Sequence, residues 1–493
     1  MLFNSIAFSI FLPVVFILYW FVINKGLKKQ NFLILIASYF FYGSWDWRFL
    51  SLIIISSITD YILGLKIHQS SKQKQRKMFL IISIVINLGL LGFFKYYNFF
   101  VDSFIDLFGL LGISLNKSTL VVLLPVGISF YTFQTLSYTI DIYRKKLAPT
   151  KDLIGFFAFV AFFPQLVAGP IERAIDLLPQ FHKKRTFNYA FAISGLRKMF
   201  WGLFKKVVIA DNLAQYVEVI YSNPDGFYGL SILITTILFT FQVYCDFSGY
   251  SDIAIGTARL FGFRLMTNFK TPLFSSSMKE FWGRWHISLS TWFRDYLYIP
   301  MGGNKVGKWK WSFNIFITFL ISGLWHGATW AFAVWGALNG FYLVFAMFTE
   351  NIRNKINKLL GLTRTPKLLK ALQVISTFSL FAFSLMIFRA ESGYDALTLI
   401  KHLPQKLSNH FANSENFISI FREIFNSTNE FIYLTLSFTI FITVDLIIRN
   451  KGIDAVLIKI PRWSRFLIYY FLIAWFFLFG AFEEPQQFVY FQF

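Results

Sequence analysis

Only one cysteine, Cys245, occurs in 493 residues. A lone thiol excludes a disulfide framework within the chain and any multi-cysteine metal site. Charge is scarce too. Asp, Glu, Lys and Arg make up 15% of the residues, against about 25% in ordinary globular proteins. That is too little polar surface to cover soluble domains, while a 56% hydrophobic content excludes a disordered chain. Acidic residues are rarer still, 25 against 47 Lys and Arg, for a formal charge of +22. In a soluble protein that charge would suggest nucleic acid. In a membrane chain it is first a topology signal, because Lys and Arg collect in cytoplasmic loops facing anionic lipid. No internal repeat stands out, which weighs against repeat-built transporter folds. The six histidines show no HExxH or other metal-ligand spacing. Gly302–Lys308 reads GGNKVGK and falls short of a phosphate loop. Trp309 stands where Ser or Thr would hold magnesium, and no strand precedes it, so a basic turn is the better reading.

Apolar length and aromatic rings are abundant, with 65 Phe, 23 Tyr and 14 Trp. Stretches able to cross about 30 Å of hydrocarbon fall near 5–23, 31–44, 50–65, 78–96, 119–140, 228–246, 312–328, 329–349, 371–389, 431–448 and 464–482. The first has neither a basic start nor a small-residue cleavage site and reads as a retained span. Phe156–Val167 runs into Ala168-Gly169-Pro170, which suits a re-entrant element. Phe200–Tyr221, interrupted by Lys205 and Lys206, suits a helix that starts at the interface and then crosses. Basic loops at 25–29, 66–77, 144–151, 353–370 and 449–465 all fall on one side if the N-terminus is outside and Phe200–Tyr221 crosses. These features predict an all-α polytopic membrane protein of about 11–13 transmembrane helices with both ends extracytoplasmic. Residues 1–493 read as a single membrane-embedded domain, with 390–430 as an outer amphipathic insertion.

Polar side chains are costly at membrane depth and mark candidate sites. Asp246, Asp252, His286, Arg294, Asp295 and His326 are of this kind, all within 242–336. His326 lies between two apolar stretches, beside Gly323 and Gly327, whose missing side chains would let a substrate approach closely. An imidazole with an ordinary pKa near 6.5 can take a proton from a hydroxyl and return it. A histidine bonding between helices as packing glue is the alternative. For His286 the alternative to catalysis is an interfacial helix held by Trp282, Trp285 and Trp292.

The segments WGRWHISLSTWFRDYLYIPMGG at 282–303 and GLWHGATW at 323–330 resemble the membrane-bound O-acyltransferases, especially their alginate O-acetyltransferase branch. So do LPVGISFYTFQTLSYTIDIYR at 124–144, FFPQLVAGPIER at 162–173 and the opening LFNSIAFSIFLPVVFILYWF. The resemblance implies tilted helices, with re-entrant and interfacial ones, around a central tunnel with an outer funnel. It implies a central general base at His326 and a second, more cytoplasmic histidine at His286. The ending FVYFQF resembles an aromatic C-terminal motif in which a tyrosine carries the acyl group transiently, and Tyr490 matches it. An interfacial aromatic belt is the alternative for Tyr490. The implied activity moves an acyl group, most simply acetyl, from a cytoplasmic thioester such as acetyl-CoA to an extracytoplasmic polysaccharide such as alginate. It would use no tightly bound cofactor and no metal, act directly or through an extracytoplasmic acetyltransferase partner, and sit among lipid in a bacterial inner membrane. D-alanyl transfer to teichoic acid is the alternative within the class, and a polytopic transporter or flippase the alternative outside it.

Overall fold

A computed structural model describes residues 1–23, 26–116, 120, 122–410, 414–425, 427–449, 452–482 and 486–489. The chain is 76% helical, with no strand among the described residues. Among the described residues, seven helical stretches are long and apolar enough to cross a membrane: Leu27–Gln69, Gln73–Leu110, Leu230–Leu260, Trp330–Phe348, Pro366–Arg389, Thr428–Ile448 and Arg462–Phe479. The first of these contains two helices, Leu27–Asp46 and Leu50–Gln69, joined by a single 3-10 turn. Arg462–Phe479 buries none of its residues and turns Phe466, Leu467, Phe471, Phe477 and Leu478 outward. In water such a face would be untenable, and against acyl chains it costs nothing. The chain is a multi-pass, all-α membrane protein.

The described residues form two compact units. Met1–Met199 with Ser251–Met266 make the first. Its core carries a polar seam. Asp60 accepts from the Ser83 hydroxyl at 2.6 Å and from Asn87 Nδ2 at 2.8 Å, and Ser56 donates to Asn87 Oδ1 at 2.7 Å. Each buried polar group here meets another, as a low-dielectric interior requires. The expected re-entrant element is a short helix, Leu153–Val160, followed by irregular backbone that stays buried through Arg173's neighbour Glu172.

Phe200–Tyr250 with Thr267–Phe493 make the second unit. The lysine-interrupted segment does not begin at the surface. Lys205 and Lys206 lie in a π-helical stretch, Phe204–Ala210, and are 2% and 4% exposed. Their charges are met inside the protein: Lys206 Nζ reaches Asp211 Oδ1 at 2.6 Å and Asp246 Oδ1 at 2.8 Å. Lys205 Nζ donates to the Ser248 hydroxyl at 3.0 Å. Within 390–430 lie the helices Gly393–His402 and Ser414–Ile424, the latter burying Ile420 and Ile424.

Candidate active site

His326 is the last residue of the helix Lys308–His326, which packs as a hairpin on Trp330–Phe348. Glycines make that packing close. A Cβ on Gly323 would lie 2.3 Å from Phe332 O and 2.8 Å from Gly336 Cα; one on Gly336 would lie 2.5 Å from Phe319 O. Neither leaves room for a methyl group, which is how small residues bring membrane helices together. Gly327 likewise yields its space to the Phe332 ring, 2.0 Å from where its Cβ would stand. The room beside His326 therefore belongs to the partner helix, not to an approaching substrate. His326 is 4% exposed, with the Trp335 ring edge-on at 5.1 Å between centroids.

His286 precedes the short helix Ile287–Phe293 in a left-handed conformation, φ 43° and ψ 53°. Few side chains adopt it without support. Asn268 supplies that support. Its carbonyl accepts from Ile287 N at 2.9 Å, and its side-chain oxygen accepts from Ser288 N at 3.2 Å and from the Ser288 hydroxyl at 2.9 Å. The imidazole is 1% exposed. It lies 6.1 Å from the His326 ring, with Phe247 edge-on at 4.6 Å and Trp325 at 6.0 Å. Burial, and then His326, push its imidazole well below the usual histidine range. A neutral ring there is a proton acceptor.

The other candidates divide. Asp246 is 1% exposed and pairs with Lys206. Its second oxygen accepts from Val489 N at 2.8 Å, tying the end of the described chain into this unit. Phe488 lies against Tyr250 at 4.7 Å and Phe247 at 5.6 Å, and Phe247 is the ring that touches His286. Asp252 pairs with Lys198 at 2.6 Å in the first unit. Arg294 and Asp295 pair with each other at 2.7 Å, the arginine side chain 56% exposed. Tyr490 lies outside the described residues. Sequence reasoning passed over Asn268 and Asp211 and took Lys206 only as an interruption of Phe200–Tyr221. The five-residue spacing of Lys206 and Asp211 was the available signal, because it fits a π turn and not an α turn.

A profile of the membrane-bound O-acyltransferase family matches residues 143–388, which include both histidines. The chain is 42% identical to the probable alginate O-acetylase of Pseudomonas aeruginosa over 394 residues, 80% of this chain and 72% of that one. The chain belongs to the membrane-bound O-acyltransferase family. As a membrane-bound O-acyltransferase it is an enzyme, and the transporter alternative falls away. Two further relatives carry other names. A peptidoglycan O-acetyltransferase of Helicobacter pylori is 36% identical over 431 residues, 81% of this chain and 79% of its own. A teichoic acid D-alanyltransferase of Streptococcus thermophilus is 30% identical over 281 residues, 53% of this chain and 68% of its own.

Proposed function

We propose that this membrane O-acyltransferase takes an acetyl group from a cytoplasmic thioester such as acetyl-CoA. It passes the group to hydroxyls of an extracytoplasmic polysaccharide such as alginate, directly or through an extracytoplasmic acetyltransferase partner, in a bacterial inner membrane. The observation that carries this reading is the buried histidine pair, 6.1 Å apart, with the chain end docked beside it through Phe488 and Val489. Acetyl is favoured over D-alanyl by the names of the relatives that match over about 80% of the chain. The D-alanyltransferase of S. thermophilus matches over 53%.

The chemistry runs in two transfers. His326 accepts the phenolic proton of Tyr490 as the oxygen attacks the thioester carbonyl; the C–S bond breaks and the leaving thiolate takes the proton back. An acceptor hydroxyl then attacks the tyrosyl ester, its proton again passing through the imidazole, and the phenol is regenerated. Two short transfers replace the passage of a free thioester across a hydrophobic barrier. Tyr490→Phe keeps the ring and removes only the nucleophile, so it abolishes polysaccharide acetylation in cells that express it normally. Normal acetylation by that variant would end the relay reading and leave Tyr490 an interfacial anchor.

A further inference from the structure

A buried ammonium has three protons to place and no water to take them. Lys206, its side chain 5% exposed, forms ion pairs with Asp211 Oδ1 at 2.6 Å and Asp246 Oδ1 at 2.8 Å. It also donates to the backbone carbonyl of Gln486 at 3.0 Å, 280 residues further along the chain. Asp246 in turn receives Val489 N on its other oxygen. The same lysine–aspartate pair therefore holds the C-terminal segment at two points three residues apart, by one donor and one acceptor.

Two features of the helices prepare this contact. The π stretch Phe204–Ala210 leaves the Val207 carbonyl able to accept from Ala481 N at 3.1 Å, just after the last helix. Asn212 donates to Phe479 O at 2.8 Å, fixing the end of that helix. Gly249, one turn after Asp246, lets Leu230–Leu260 come close enough for the pair to form, since a Cβ there would stand 2.7 Å from Gly202 O.

We propose that Lys206 and Asp246 form a latch for the C-terminal segment and are positioning residues for the acyl-carrying chain end. Val489, held against Asp246, is the residue immediately before Tyr490 in the sequence. The catalytic consequence rests on the relay reading above; the latch itself does not.

The test uses full-length protein in detergent with a nitroxide on Gln487→Cys, an exposed position, in a Cys245→Ala background. Val489→Pro removes the N–H that Asp246 accepts and lies outside the candidate membrane spans; Val489→Ala keeps it. The latch predicts a slow label spectrum in the parent and in Val489→Ala, and loss of the slow component in Val489→Pro and Asp246→Ala. It also predicts that acetyl-transfer turnover falls in those last two variants with the donor KM unchanged. A label that stays slow in Val489→Pro overturns the latch, whether or not Asp246→Ala folds. A freed tail with full turnover overturns the positioning role. Should Tyr490→Phe transfer normally, the relay falls, and the label still decides the latch by itself.

Discussion

His326 and His286 reach the same small space by different means. The first ends a long helix, and the second is held in a left-handed backbone by Asn268. If His326 is the proton acceptor, His326→Ala lowers acyl transfer by about 10²–10⁴-fold, the range that a general base contributes. Insertion and expression stay normal, which membrane fractionation beside an acetylation assay checks. Asn268→Ala acts differently. It strips acceptors from the Ser288 N–H and hydroxyl in a buried site, a loss of roughly 1–3 kcal/mol, so the protein unfolds at a lower temperature in detergent and activity declines with it. Both histidines were legible in the sequence because an ionisable group amid apolar residues announces itself. Asn268 was not, because its role is to hold a neighbour's backbone, and no spacing rule records that. The glycines beside His326 were legible as close-approach positions, yet what approaches is Phe332 and Gly336, and a single sequence does not say which surface fills a gap.

At the scale of elements, the hairpin of Lys308–His326 and Trp330–Phe348 depends on Gly323 and Gly336 more than on any large side chain. Gly336→Ala forces a methyl group to within 2.5 Å of Phe319 O, so the helices separate and the folded yield falls. Gly92→Ala, where a Cβ meets nothing within 4 Å, leaves the yield unchanged. Thermal unfolding of the two variants side by side measures the contrast. Phe200–Tyr221 reads from the sequence as a helix that starts at the interface and then crosses, because two adjacent lysines in an apolar run usually snorkel to water. Here two carboxylates wait for one of them, Asp211 on the following helix and Asp246 on another, and burial becomes tolerable.

Across the whole molecule, the long apolar helices were plain from hydropathy, since a lipid-facing helix such as Arg462–Phe479 must be apolar all round. Buried polar pairing was not plain, because Asp60, Ser83 and Asn87 look like interruptions until their partners are known. Orientation follows from loop charge. If the basic loops are cytoplasmic, a cysteine at position 74, which is exposed, stays unlabelled by an impermeant thiol reagent in intact cells and is labelled after permeabilisation. Cys245 is fully buried and contributes little background. Labelling at position 74 in intact cells would invert the map.

The bond from Lys206 to Gln486 has a consequence for the order of assembly. It joins residues 280 positions apart. The helices Leu230–Leu260, Trp330–Phe348, Pro366–Arg389, Thr428–Ile448 and Arg462–Phe479 all lie between them in the chain. A contact across so long a loop forms after the local ones, because its closure entropy is met only once the intervening helices are packed. Until then the ammonium of Lys206 rests on Asp211 and Asp246 alone.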